Sequence, residues 1–186
     1  MALFGKWRAA RALQRNARTF VDALAAEPSA DDAAWLAQTA TRGDEDHARW
    51  ELRYARRAVA LLVAQRDALD DRTGSAVAQA VADAFERDNR IDADRRDLAE
   101  RQFNARLSAY RDALGARVPD AVIRLGQTLI AFSGGSFRDK DANVRRAGEI
   151  VDGYVKEAHE TLRNVFGAAA LPENVPPSAL AGRESS

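Results

Sequence analysis

Residues 44–72 read DEDHARWELRYARRAVALLVAQRDALDDR, and this stretch indicates the architecture of the whole chain. Its apolar residues recur at spacings of three and four, as on one face of an α-helix. One apolar row runs through Leu52 and Val59, and a neighbouring row runs through Trp50 and Leu61. Two adjacent rows make a broad apolar face, which predicts a long central helix in contact with several others.

The rest of the chain repeats this helical spacing, interrupted by proline and glycine. Forty of the 186 residues are alanine, which is the strongest helix former. The predicted fold class is therefore all-α, a single helical bundle of about six to seven helices, two of them long, with an irregular C-terminal tail. The predicted helices cover residues 3–26, 29–41, 44–72, 76–88, 92–118, 119–132 and 139–166.

The predicted organisation has three parts. Residues 1–27 form a basic amphipathic N-terminal helix, residues 29–167 form the helical bundle, and residues 168–186 form a flexible tail that contains three prolines. The N-terminal part carries five basic and two acidic residues. The overall balance of 28 basic against 28 acidic residues therefore hides a positive helix attached to a mildly acidic body.

Composition excludes several classes of function. The chain has no cysteine, which excludes disulfide scaffolds and thiolate metal sites. Because the net charge is zero, we expect no nucleic acid partner. The longest uncharged run, residues 125–137, is too short to span a bilayer. We expect a cytoplasmic protein. This location is also compatible with peripheral contact with a membrane.

The N-terminal helix carries the most specific functional signal. All five of its basic residues precede the first acidic residue, Asp22. Aromatic residues lie near its start, where an interfacial helix places its anchors. This pattern predicts contact with an anionic lipid surface or an acidic protein face, whereas the alternative is an ordinary bundle helix with its apolar stripe inward. The candidate contact residues are Phe4, Trp7, Arg8, Arg11, Arg15 and Arg18.

A second basic row lies on the central helix beside aromatic residues. Arginines next to aromatic rings can bind phosphate groups or bases. Asp46 and Glu51 lie close enough in sequence to pair with part of this charge. The row is a candidate anion contact, formed by Arg49, Arg53, Arg56 and Arg57.

Catalytic and metal-binding patterns are missing from the sequence. Neither His47 nor His159 belongs to the Glu-x-x-His motif of di-metal bundles, so no catalytic, metal or cofactor-binding residue is assigned. We expect a non-enzymatic protein that acts through protein–protein contacts, as a subunit, adaptor, small scaffold or homo-oligomer. The first alternative is peripheral membrane association through residues 3–24. A minor alternative is a bundle enzyme that uses a metal or the inward-facing acids among Glu51, Glu100 and Glu149.

Overall fold

The computed structural model describes residues 2–68, 71–116, 120–137 and 141–167, with side chains from residue 7 onward. The described residues form seven α-helices and one 3₁₀ turn, without any strand, so the predicted all-α bundle is confirmed. The predicted tail, residues 168–186, lies outside the described residues. In chain order the elements are α1 Ala2–Leu24, α2 Ala30–Thr39, α3 Glu45–Asp67, α4 Asp71–Glu86, the 3₁₀ turn Ala93–Arg95, α5 Arg96–Leu114, α6 Asp120–Phe132 and α7 Ala142–Phe166.

Helix α3 is the centre of the bundle. It contacts all six of the other α-helices, and every residue from Tyr54 to Ala64 is buried. This burial on all sides is what the two adjacent apolar rows predict, because a helix with a wide apolar face needs partners around it.

The junction between α3 and α4 differs from the prediction. The sequence places the break at residues 73–75, whereas α3 ends at Asp67 and α4 already begins at Asp71. Gly74 therefore lies inside a helix. A helical glycine costs only about 1 kcal/mol relative to alanine. The buried Thr73 keeps this first turn against the bundle, so tertiary packing overrides the local signal.

Several helix starts follow their capping residues. The Ser29 hydroxyl accepts a hydrogen bond from the Asp32 backbone N–H at 3.4 Å, as predicted for α2. The Asp44 carboxylate accepts one from the His47 N–H at 2.9 Å at the start of α3. At α7 the capping carboxylate belongs to Asp141, while residues 138–140 lie outside the described part of the chain. Each cap satisfies backbone donors that the first helical turn leaves free.

Helices α6 and α7 form the most extensive pair in the bundle, and two glycines allow it. A Cβ atom at Gly126 would lie 1.9 Å from the Val144 carbonyl oxygen, and one at Gly148 would lie 2.1 Å from the Val122 oxygen. Real atoms cannot approach so closely, so the two backbones touch where these residues cross. This crossing fixes the position of α7, against which α1 and α3 pack.

Candidate docking surface

The two halves of α1 have different environments. In its C-terminal half, Ala17, Phe20, Val21 and Leu24 are buried in the common core. Ala17, Phe20 and Leu24 recur at the spacings of three and four that predict an apolar stripe. Helix α1 contacts α4, α7 and α3. The C-terminal half is thus an ordinary bundle helix with its apolar stripe inward.

The packing of α1 changes where α7 ends. The Asn16 amide donates a hydrogen bond to the Val165 carbonyl at 3.3 Å, and the ring centroids of Phe20 and Phe166 lie 6.3 Å apart. Phe166 is the last residue of α7, which runs antiparallel to α1. Residues of α1 before Asn16 therefore extend past the end of α7 and lose that neighbour.

Beyond this point the basic side of α1 is exposed, while Leu13 on its other side still packs against the core. Trp7 is 53% exposed, and the Arg11 guanidinium lies 3.9 Å from the centre of its ring. Arg8, Arg11 and Arg15 are exposed, and no carboxylate of the described residues lies within ion-pair distance of them. We call residues 2–15 the docking half of α1. Phe4 belongs to it by sequence, but its side chain lies outside the described part.

Arg18 lies at the boundary between the two halves. One of its terminal nitrogens is 3.8 Å from a carboxylate oxygen of Asp83 on α4, and its side chain is 59% exposed. The structure thus places Trp7, Arg8, Arg11 and Arg15 on one exposed segment, while Arg18 is already shared with the bundle.

Each arginine of the second basic row meets a carboxylate. Arg49 pairs with Glu45 at 2.7 Å on its own helix. The other three pair with distant parts of the chain, namely Arg53 with Glu27, Arg56 with Glu157 and Arg57 with Asp88. An anion bound at this row would compete with four carboxylates of the protein itself. Through these ion pairs, α3 holds three other parts of the chain in place, namely the α1–α2 junction, the segment after α4, and α7. Anion binding at this row stays a prediction.

Asp88 is the most strongly bonded of these carboxylates. Its oxygens accept hydrogen bonds from the side chains of Arg57 and Arg90, and from the Arg90 backbone N–H. Burial alone would raise the pKa of Asp88, but these hydrogen bonds outweigh burial and hold the pKa well below its usual range. The carboxylate therefore stays ionised in the folded protein down to strongly acidic pH.

We expect Asp88→Asn to lower the free energy of unfolding by about 2 kcal/mol at pH 7, because hydrogen bonds between charged groups are lost. The pKa of Asp88 is lower in the folded than in the unfolded state. Its stabilising contribution is thus complete above the unfolded pKa of about 4 and declines as the pH falls below it. Urea unfolding at pH 7 and pH 3 checks this. An equal loss at both pH values would contradict the assigned electrostatic role.

Glu51 and Arg106 form a buried ion pair beside the partly exposed His47, and the sequence does not identify the three residues as a unit. The Glu51 carboxylate accepts two hydrogen bonds from the Arg106 guanidinium, one of them 2.7 Å long from Nε. His47 Nε2 lies 3.3 Å from Glu51 Oε1. The rings of Tyr54 and Phe132 lie 4.9 and 4.6 Å from the Arg106 guanidinium carbon. The only sequence signal is a charged residue, Arg106, within the apolar stripe of α5.

Of the three acids considered for catalysis, only Glu51 faces inward. Glu100 and Glu149 are exposed. Both oxygens of Glu51 are engaged by Arg106, and one of them also faces His47. Among the described residues no group of three His, Asp or Glu side chains could hold a metal ion. The geometry of Glu51 therefore suits a structural ion pair better than a free proton acceptor.

An open cleft of about 400 Å³ lies above this ion pair. It separates the first half of α3 from residues 90–102, and we call it the α3–α5 cleft. Its lining includes the aromatic side chains of Trp50 and Tyr54 and the exposed Leu98. Acidic side chains lie at its rim, namely Asp44, Asp46 and Asp92.

The helices that the structure describes include none that is long and apolar enough to cross a membrane. The chain matches no family model. No curated protein and no solved structure is significantly similar to it. The arguments for function therefore rest on the fold, the charges and the contacts of the described residues.

Proposed function

We propose that this chain is a non-enzymatic, cytoplasmic helical protein that docks on anionic membrane surfaces through the docking half of α1. The observation that carries the proposal is the exposure of Trp7 beside arginines that lack a carboxylate partner among the described residues. The buried half of α1 anchors this segment to the helical bundle.

The charge of the docking half supports an anionic partner. Arg8, Arg11 and Arg15 are exposed, and each basic residue near an anionic leaflet contributes about 1 kcal/mol. Three such residues give about 3 kcal/mol, a factor of roughly one hundred in affinity. Trp7 adds an amphipathic ring of the kind that lies at the headgroup level of membranes.

The shape of the docking half favours a lipid surface over a protein. Arg8, Arg11 and Arg15 recur at spacings of three and four, so they lie along one side of the helix. A diffuse sheet of negative charge can meet all of them at once, whereas a protein partner would need a matching acidic groove. Because the buried half of α1 holds the helix in place, docking needs no unfolding of the bundle.

Replacing Arg8, Arg11, Arg15 and Arg18 with glutamine should weaken binding to anionic vesicles at least a hundredfold, since about 1 kcal/mol is lost for each charge. Co-sedimentation with vesicles of phosphatidylcholine, with and without phosphatidylserine, measures the effect. Wild-type protein should bind only the vesicles that contain phosphatidylserine. Raising the salt concentration should release it, because screening shortens the attraction.

A matched control changes the same number of charges elsewhere. Arg101, Arg111, Arg124 and Arg145 are exposed on other helices, so their replacement by glutamine should leave most of the binding intact. Equal losses in the two variants would show that net charge alone matters. Failure of the wild type to bind anionic vesicles at low salt would refute the membrane proposal and favour an acidic protein partner.

A further inference from the structure

The lining of the α3–α5 cleft carries an excess of one negative charge, with the carboxylates of Asp44, Asp46, Glu51 and Asp92 against the guanidinium groups of Arg90, Arg95 and Arg106. Arg106 is paired with Glu51, and Arg95 approaches Asp92 to 3.9 Å. The exposed carboxylate of Asp46 at the rim has no cationic partner within ion-pair distance among the described residues. The rim therefore favours a cationic occupant.

The same cleft also exposes apolar surface. Leu98 at its edge is 47% exposed, and Trp50 lines its wall. Only three large apolar side chains of the described residues are exposed, and Leu98 and Trp7 are two of them. Apolar side chains that remain in water beside charged rims are typical of interaction surfaces.

The docking half of α1 has the complementary chemistry. Its Trp7 ring carries the Arg11 guanidinium on one face, and Arg8 and Arg15 are exposed on the same segment. A cleft of about 400 Å³ is within the size range of pockets that bind an aromatic group. In such a contact Trp7 would meet Leu98 and Trp50, while the arginines would meet Asp46 and Asp92.

These two surfaces lie too far apart to meet within one molecule. Arg18 meets Asp83 and Glu27 meets Arg90, so α1 runs parallel to α4. Trp7 is therefore close to the start of α4, which follows the end of α3 at Asp67. The cleft lies along residues 44–54 of α3, about 25 Å away at 1.5 Å per residue.

We infer that the docking half of α1 binds the α3–α5 cleft of a second copy, so that the protein assembles head to tail. Each copy offers one of each surface, and a contact between two different surfaces forms open chains or closed rings. The inference goes beyond membrane docking. A vesicle surface and a second copy would both contact Trp7. They therefore compete for the docking half of α1.

Two variants test the inference, each lacking one surface. The helix variant combines Trp7→Ser with Arg11→Gln, and the cleft variant combines Asp46→Asn, Asp92→Asn and Leu98→Ser. All five side chains are exposed, so both proteins should fold. Sedimentation velocity at low salt should show wild-type species that grow beyond dimers with concentration and dissociate at high salt. Each variant alone should stay monomeric.

An equal mixture of the two variants gives the sharpest result. The intact helix of the cleft variant should bind the intact cleft of the helix variant, so the mixture should form one-to-one dimers and nothing larger. Phe137→Ser, which removes the third exposed apolar side chain, should assemble like the wild type. A monomeric wild type at all concentrations, a variant that assembles alone, or a mixture that stays monomeric would overturn the inference. The cleft variant keeps its docking half, so vesicle binding by this protein tests the membrane proposal separately.

Discussion

Gly126→Ala should lower the free energy of unfolding by on the order of 3 kcal/mol or more, toward the upper end of the range for overpacked cores. The added methyl group would lie 1.9 Å from the Val144 carbonyl oxygen and 2.7 Å from the Gly148 backbone nitrogen. Both neighbours are backbone atoms, so no rotation of a side chain can make room. Helices α6 and α7 would have to separate, and their shared contacts would weaken along the whole crossing. Urea unfolding followed by circular dichroism measures the loss.

Gly148→Ala should act in the same way, because its methyl group would meet the Val122 carbonyl oxygen at 2.1 Å. Gly153→Ala on the same helix is the control. Apart from its chain neighbours and the nearby backbone of its own helix, no atom lies within 4 Å of a Cβ atom at that position. Alanine should therefore stabilise the protein by about 0.5–1 kcal/mol through its helix propensity. If Gly126→Ala were as stable as the wild type, the close crossing of α6 and α7 would be wrong.

Arg106→Met should lower the free energy of unfolding by about 3–5 kcal/mol, because the buried Glu51 carboxylate would lose its principal partner. Glu51→Leu should cost a similar amount by leaving the Arg106 guanidinium between the rings of Tyr54 and Phe132 without an anion. The double variant should recover most of this loss, since apolar side chains of similar size replace a buried ion pair at little net cost. Urea unfolding of the three variants gives the double-mutant cycle.

The coupling energy between Arg106→Met and Glu51→Leu tests whether the two side chains act as a pair. Strong non-additivity is expected for groups in direct contact. Additive losses would show that Glu51 and Arg106 act independently, against the two hydrogen bonds that join them. Arg111→Met is a suitable control, because Arg111 lies on the same helix and is exposed; its substitution should change stability by less than about 0.5 kcal/mol.

The helical elements of this protein follow from local rules. The two apolar rows of residues 44–72 predict a central helix, and α3 is buried on all sides between Tyr54 and Ala64. Ser29 caps its helix as the sequence predicts. Helix boundaries follow the local sequence less closely where local preferences are weak. The sequence predicts a break at Gly74, but this residue lies inside α4 because tertiary contacts outweigh a penalty of about 1 kcal/mol.

Charge patterns in the sequence predict side-chain environments less well than apolar patterns do. The basic rows of α1 and α3 look alike in sequence, yet Arg8, Arg11 and Arg15 are exposed whereas Arg56 and Arg57 are buried. The two rows differ because the arginines of α3 pair with carboxylates from distant segments, Arg56 with Glu157 and Arg57 with Asp88. Helical periodicity carries no information about such partners.

The sequence by itself determined the all-α fold class, the central helix and the basic face of α1, because each depends on residues within a few turns of one another. Tertiary structure alone decided where α1 becomes exposed, which depends on α7 ending beside Asn16. It also decided that Gly126 and Gly148 lie at a backbone contact, and that Glu51 and Arg106 meet across 55 residues. These features depend on the relative placement of helices, which helical periodicity does not specify.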